Sequence, residues 1–303
     1  MSKKVKRLFE GFHPVNYRIE LSPEPSSKKL TGTVVISGQK VGRPSQRLTF
    51  HQQGLKIVDA TIVRHDKKGE QQHEVVRISH HNTFNEVRLH TDGLLYAGQY
   101  TITLRFTGKV QDGMHGIYAS SYEHDGKKQC IVSTQFESHH AREAFPCIDE
   151  PEAKATFDLT LLSPVGEACI SNMPASSQEK KDGKLVTVFE TSPRMSTYLL
   201  AFAFGDLQQK SVKTKDDVDV RVWATRAHSP EALDFALDVA KRGIEFFADY
   251  FGVPYPLAKC DHVAIPNFSS GAMENWGLIT YRERCLIADP QTASQSGREV
   301  IAL

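Results

Sequence analysis

Tyr100-Thr101-Ile102-Thr103-Leu104-Arg105-Phe106 alternates large apolar side chains with polar ones. A period of two sends successive side chains to opposite faces of an extended chain, so the segment reads as a strand buried on one side and wet on the other. The same period recurs at Tyr17-Arg18-Ile19-Glu20-Leu21, at 33–36, 75–78 and 87–89, and later at Phe157-Asp158-Leu159-Thr160-Leu161, 185–189 and 197–204. Turn-forming stretches fall between these runs, at Ser22-Pro23-Glu24-Pro25-Ser26-Ser27, 66–69 and Thr91-Asp92-Gly93. Short alternating strands at this spacing predict an antiparallel β-sandwich over residues 15–205. No internal repeat or low-complexity segment interrupts it.

The pattern then changes. Residues 218–223 read as one more strand, and Ser229-Pro230-Glu231 supplies an N-cap, a first-turn proline and a first-turn acid. Leu233, Leu237, Ala240, Ile244 and Phe247 follow at spacings of three and four, one buried face of a helix over 230–251. Gly252 and Pro254 end it. Short strands are expected at 262–265 and 278–281, and a helix starts within the final apolar stretch, 300–303. The chain is therefore mostly β, with an N-terminal sandwich domain at 1–205 and a mixed α/β unit at 206–303.

The 303 residues are enough for two domains, and 40% hydrophobic residues are enough to build their cores. Lys+Arg 37 against Asp+Glu 36 leaves a net charge of +1, which gives no electrostatic reason to expect nucleic acid or a membrane as partner. Lys3, Lys4, Lys6 and Arg7 make a basic start, but no apolar run follows as in a secretory signal. Cys130, Cys147, Cys169, Cys260 and Cys285 are odd in number and scattered, with no CxxC pair. Reduced cysteines in a cytoplasmic protein are the expectation.

Chemistry concentrates in Gly271-Ala272-Met273-Glu274-Asn275. Small residues expose backbone amides to which a peptide can add as a strand, and Glu274 puts a fixed carboxylate where such a peptide would end. That carboxylate would take a free α-amine through charge-assisted hydrogen bonds. A glycine turn with a solvated glutamate is the other reading of the same residues.

This stretch resembles the GAMEN exopeptidase motif of the M1 (gluzincin) zinc aminopeptidases. The likeness runs in register from Phe251-Gly252-Val253-Pro254-Tyr255-Pro256, through Lys259, Asp261 and Val263-Ala264-Ile265-Pro266-Asn267-Phe268, to Glu283. A second block is also similar to that family: Thr134-Gln135-Phe136-Glu137, then 141–151 (Ala-Arg-Glu-Ala-Phe-Pro-Cys-Ile-Asp-Glu-Pro), then Lys154-Ala155-Thr156-Phe157. The resemblance implies a saddle-like β-sandwich followed by the first, incomplete part of a thermolysin-like α/β catalytic domain. It implies that Glu137 and Glu274 share the substrate's ammonium, that Gly271, Ala272 and Asn275 hold the backbone, and that Gln135 and Met273 form pocket wall. Peptides with a free N-terminus are then the implied substrates. For Glu137 an ion pair with Arg142 or a lysine is the alternative.

One departure stands out: Ser138-His139-His140 follows Glu137 where the family carries Pro-Thr-Asp or similar. Adjacent histidines on an extended segment point opposite ways and rarely ligate one ion, so His139-His140 and His80-His81 read as surface polar residues. Cys147 reads as a small buried apolar residue. The family's zinc motif, HExxH, is absent. The chain is accordingly expected to be the N-terminal part of a zinc enzyme, cut just upstream of the metal site, inactive and zinc-free by itself. Two rivals are weighed against this. Epoxide hydrolases of the same superfamily carry Gly at the position of Ala272 and Gln at that of Glu137, and both residues here argue against them. A non-catalytic peptide-binding sandwich would lack the HExxH altogether.

Overall fold

The long strand Phe12–Glu24 lies antiparallel to Lys29–Lys40 along their whole length. Tyr17, Ile19 and Leu21 are fully buried while Arg18 and Glu20 between them are exposed, as the period of two requires. The computed structural model describes residues 7–67 and 69–302; Lys3, Lys4, Lys6 and the terminal Leu303 lie outside the described residues. Eight strands make the largest sheet, in the order Ala175–Lys181, Lys184–Phe189, Thr156–Pro164, Phe12–Glu24, Lys29–Lys40, Gly98–Lys109, Lys56–Asp66, Gly69–His73. It is not purely antiparallel: Phe12–Glu24 runs parallel to Thr156–Pro164, pairing Ile19 with Leu159. The more than one hundred residues between these strands provide the crossover that parallel pairing demands.

Two smaller sheets close the core. One joins Ser45–His51, Glu86–Leu95 and Val75–His81; the other joins Ala168–Ser171, Phe202–Gly205, Lys127–Gln135 and Gly116–His124. Ile19 and Leu104 of the large sheet, Phe50 and Leu89 of the second, and Val132 and Phe204 of the third share one apolar cluster.

Some turn signals are carried inside strands. Phe12–Glu24 continues through Ser22-Pro23-Glu24, and the turn falls at 25–28. Pro23 pairs there with Leu30 on one side only, since the parallel partner on the other side stops at Leu21. Thr91-Asp92-Gly93 sits in Glu86–Leu95, at irregular pairing, where Thr91 Oγ1 donates to Gly93 O and Asp92 Oδ1 accepts from Gly93 N. Residues 197–199 form a 3-10 turn, and only Phe202–Gly205 is strand.

After Gly205 the chain enters a five-stranded mixed sheet: Leu207–Lys213, Asp219–Thr225, Lys259–Ile265, Leu278–Arg282 and, at the edge, Ala272–Met273. Its inner side does not build a separate core, since Leu207, Trp223, Val263, Ile265, Met273 and Leu278 belong to the main cluster. A second cluster on the other side gathers Val222, Ala224, Leu233, Ala236, Ala264 and Leu286. The predicted helix begins with a 3-10 turn, Pro230–Leu233, and continues as Asp234–Phe251; Gly252, at φ 65°, closes it. Ser229 makes no side-chain cap bond. The apolar face is covered only at its start: Leu233 is buried, Ile244 is half-buried and Phe247 is 56% exposed. A second helix, Gln295–Ala302, starts five residues earlier than its apolar stretch suggests.

This uneven covering has a measurable consequence. Native-state hydrogen exchange should protect Asp219–Thr225 and Lys259–Ile265 about as well as Gly98–Lys109, because all three feed buried side chains into packed cores. The second half of Asp234–Phe251 should exchange much faster. Protection of that half equal to the strands would contradict the packing described here.

Candidate substrate-amine site

Lys259–Ile265 is buried at every position, including Lys259, Asp261 and His262. Lys259 is 2% exposed, and its ammonium donates to Ser171 O and to Gly277 O, each at 2.7 Å. Asp261 Oδ2 lies 2.8 Å from the same nitrogen, an ion pair between two buried side chains. Burial pulls the Lys259 pKa down, and Asp261 opposes this. The second contribution to the junction comes from Asn172, whose amide donates to Leu199 O and to Trp276 O and accepts from Ala201 N. Gly277, at φ +72°, is required: a Cβ there would meet Asn172 O at 2.1 Å. Further along the loop, Asn267 N donates to Ser120 Oγ, its side chain donates to Ser121 O, and its carbonyl accepts from Tyr118 OH.

These contacts fix the loop between the Lys259–Ile265 and Leu278–Arg282 strands against the Gly116–His124 and Ala168–Ser171 strands. Within the loop, Ala272 pairs with Tyr281 and Met273 with Thr280, and Arg282 N donates to Gly271 O. Exposure alternates through the motif: Ala272 and Glu274 face out, Met273 and Asn275 face in. Met273, 1% exposed, belongs to the main core and not to the groove wall. Asn275 is likewise buried and donates to Thr280 Oγ1. The two residues lock the hairpin from inside so that the other two can face solvent.

Gly271, Ala272 and Glu274 line a groove of about 1120 Å³ whose other walls include Phe247, Tyr281 and Val300. Its floor is electrically neutral. Burial holds His262 down at about 4 and pushes Cys260 up to about 11, and it raises Tyr281 as well. Glu274 is thus the one carboxylate among the described lining residues, and it has no hydrogen-bond or ion-pair partner among the described residues.

Glu137 follows Lys127–Gln135 by two residues and is exposed, again with no partner among the described residues. The pairing with Arg142 weighed above does not occur. Arg142 instead holds Asp149, with Nε 2.9 Å from Oδ2 and Nη2 3.0 Å from the carbonyl. Asp149 also accepts from Thr197 Oγ1, and its amide donates to His51 Nδ1. Burial keeps His51 at about 3, hence neutral and able to accept. Cys147 is fully buried, and Glu150 accepts from Leu8 N, so the 141–151 block is structural. Gln135 is buried at the end of its strand, its Oε1 unpartnered. His139 is exposed as expected, but His140 is half-buried and bonded to Glu143 through Nδ1 at 2.8 Å, so it is not a plain surface residue. Sequence reading missed this, and missed Asn172 and Ser171, which come from a segment with no motif of its own.

Replacing Lys259 by Met should cost about 3–5 kcal/mol of stability, because it removes the cation 2.8 Å from the buried Asp261 carboxylate and leaves the more distant Arg221, whose Nε is 3.9 Å from Oδ1. Lys259→Met with Asp261→Leu should recover most of that loss in denaturant titrations. Near-wild-type stability of the single variant would remove the junction's assigned role.

HExxH occurs nowhere in the 303 residues, so the residues present do not fit the zinc of an M1 enzyme. Comparison with known proteins agrees with the motifs. Residues 13–199 match the peptidase M1 N-terminal domain, and residues 235–303 match the peptidase family M1 domain. Aminopeptidase N of Lactococcus lactis subsp. lactis is 44% identical over 306 residues, covering 100% of this chain and 34% of its own length. The puromycin-sensitive aminopeptidase of Caenorhabditis elegans is 36% identical over 303 residues, covering 99% and 31%. Endoplasmic reticulum aminopeptidase 1 of Rattus norvegicus is 36% identical over 298 residues, covering 96% and 31%. The chain thus spans about a third of the length of the curated relatives it matches. With both of its parts matched in order and its GAMEN hairpin built as described, the chain belongs to the peptidase M1 family.

Proposed function

We propose that this chain is the substrate-positioning part of a zinc-dependent aminopeptidase that removes residues from the free N-terminus of peptides. The observation that carries the reading is Glu274, an unpartnered carboxylate in a groove with a neutral floor. Beside it, Ala272–Met273 is the edge strand of its sheet, so its outer backbone groups are open to an added peptide strand. A peptide paired there brings its amine to Glu274, and Glu137 supplies the second carboxylate. Gly271 and Ala272 keep side chains out of the peptide's path. The sandwich at 1–205 and the α/β unit at 206–303 are two domains of that enzyme, meeting across the Lys259 junction.

Orientation without a Lewis acid leaves the hydrolytic barrier mostly in place. The 303-residue chain carries no catalytic zinc and should release no product from aminoacyl amides. Among the described residues no helix is long and apolar enough to cross a membrane. The five cysteines are all free, which fits a reducing compartment, and we assign the protein to the cytoplasm.

Glu274→Gln, made in the full-length enzyme, keeps the shape and removes the charge. A charge-assisted hydrogen bond contributes about 1.5–3 kcal/mol, so kcat/KM for free-amine peptides should fall by about one to two decades. Binding of N-acetylated analogues should change far less. An equal effect on both ligand types would return Glu274 to a structural role.

A further inference from the structure

His115, His140 and Glu143 converge at the root of the turn that carries Glu137. Each offers one ligand atom, and these atoms all lie within 4.8 Å of one another. The backbone explains the meeting. Gly116 pairs with Gln135 across the hairpin of Gly116–His124 and Lys127–Gln135. His115 therefore stands beside the point where the chain departs towards Glu137. The chain then folds back, His140 N donating to Phe136 O at 2.8 Å, and enters the 3-10 turn Ala141–Glu143 with His140 at its N-cap. Side chains three apart on such a turn eclipse, which sets His140 Nδ1 2.8 Å from Glu143 Oε1. Gly116, at φ +65°, leaves the room: a Cβ there would lie 2.8 Å from Glu143 Oε2.

The electrostatics of the cluster call for a cation. Glu143 is 5% exposed, and a carboxylate buried to that degree needs a positive partner. Arg142 is committed to Asp149. What faces Glu143 is imidazole: the His140 ring lies 4.6 Å from that of His115 and is stacked at 4.8 Å on that of His139. Two imidazoles and a carboxylate meeting at one point are a donor set that zinc-class ions take.

We propose that His115, His140 and Glu143 bind one divalent cation of the zinc class, through two imidazole nitrogens and one carboxylate oxygen, with solvent completing the shell. Bonds of about 2.0–2.2 Å require the ligand atoms to draw closer than they stand, and His115, being exposed, is free to swing inward. The ion cross-links the residue preceding the Gly116–His124 strand to the Ala141–Glu143 turn and so steadies the turn bearing Glu137. It is distinct from the family's zinc, needs no HExxH, and departs from the expectation of a zinc-free chain. It does not rest on the aminopeptidase reading.

Calorimetric titration of zinc chloride into the EDTA-stripped, dialysed chain should show saturable binding of one equivalent, with a rise in thermal midpoint. His115→Ala alters an exposed side chain and should leave the metal-free midpoint unchanged while weakening binding by at least about tenfold. His140→Phe should weaken binding likewise, with a lower metal-free midpoint because it removes the bond to buried Glu143, and cobalt loading should give visible d–d bands that both variants lose. No saturable binding by the stripped wild-type chain would overturn the proposal. So would wild-type affinity in both variants.

Discussion

The ammonium of Lys259, enclosed between two sheets, donates to Ser171 O on one side and Gly277 O on the other, with Asp261 beside it. Enclosing a charge is costly unless it is paired and hydrogen-bonded, and this one is satisfied only when the loop and the Ala168–Ser171 strand are both in place. That makes the contact conditional on correct assembly of residues 88 positions apart. Asn172, the next residue, repeats the arrangement with neutral groups, and Gly277 lets the two backbones approach. The presentation of Glu274 follows, because the hairpin that carries it begins at Ala272, five residues before Gly277, and is closed by Asn275 and Thr280.

A similar logic operates on the Glu137 side. Arg142, Asp149, Thr197 and His51 form a satisfied buried network beneath the turn, so the backbone there has little freedom. Glu137 stands outside that network. In both places the fold consumes the neighbouring polar groups in structural bonds and leaves a single carboxylate unspent. Unpaired exposed carboxylates on rigid supports are what a cationic ligand group requires.

Much of this was legible in the sequence, and the failures have physical causes. The strands with strict alternation, such as 100–106 and 17–21, were readable because one face is apolar core and the other is water. Lys127–Gln135 was not found as a strand, because its buried positions include the polar Ser133, Thr134 and Gln135; of these Thr134 is bonded across to Phe202, a contact invisible in sequence. The parallel pairing of Phe12–Glu24 with Thr156–Pro164 was likewise invisible, since alternation does not report strand direction. Glu274 and Glu137 were singled out in the sequence through their motifs. The inward turn of Met273 follows from pairing with Thr280, which the motif alone did not reveal. His140 was dismissed because adjacent histidines diverge on a strand; the segment is in fact a 3-10 turn, where the relevant neighbour is Glu143.

We propose that Glu137 and Glu274, each just beyond a strand of a different sheet, act on one ammonium. A crystal structure of the full-length enzyme with a bound free-amine dipeptide tests it most directly. The account predicts the α-nitrogen at about 2.7–2.9 Å from an oxygen of Glu274 and from an oxygen of Glu137, the range of charge-assisted hydrogen bonds. A dipeptide whose amine points to solvent, or rests on neither carboxylate, would contradict it.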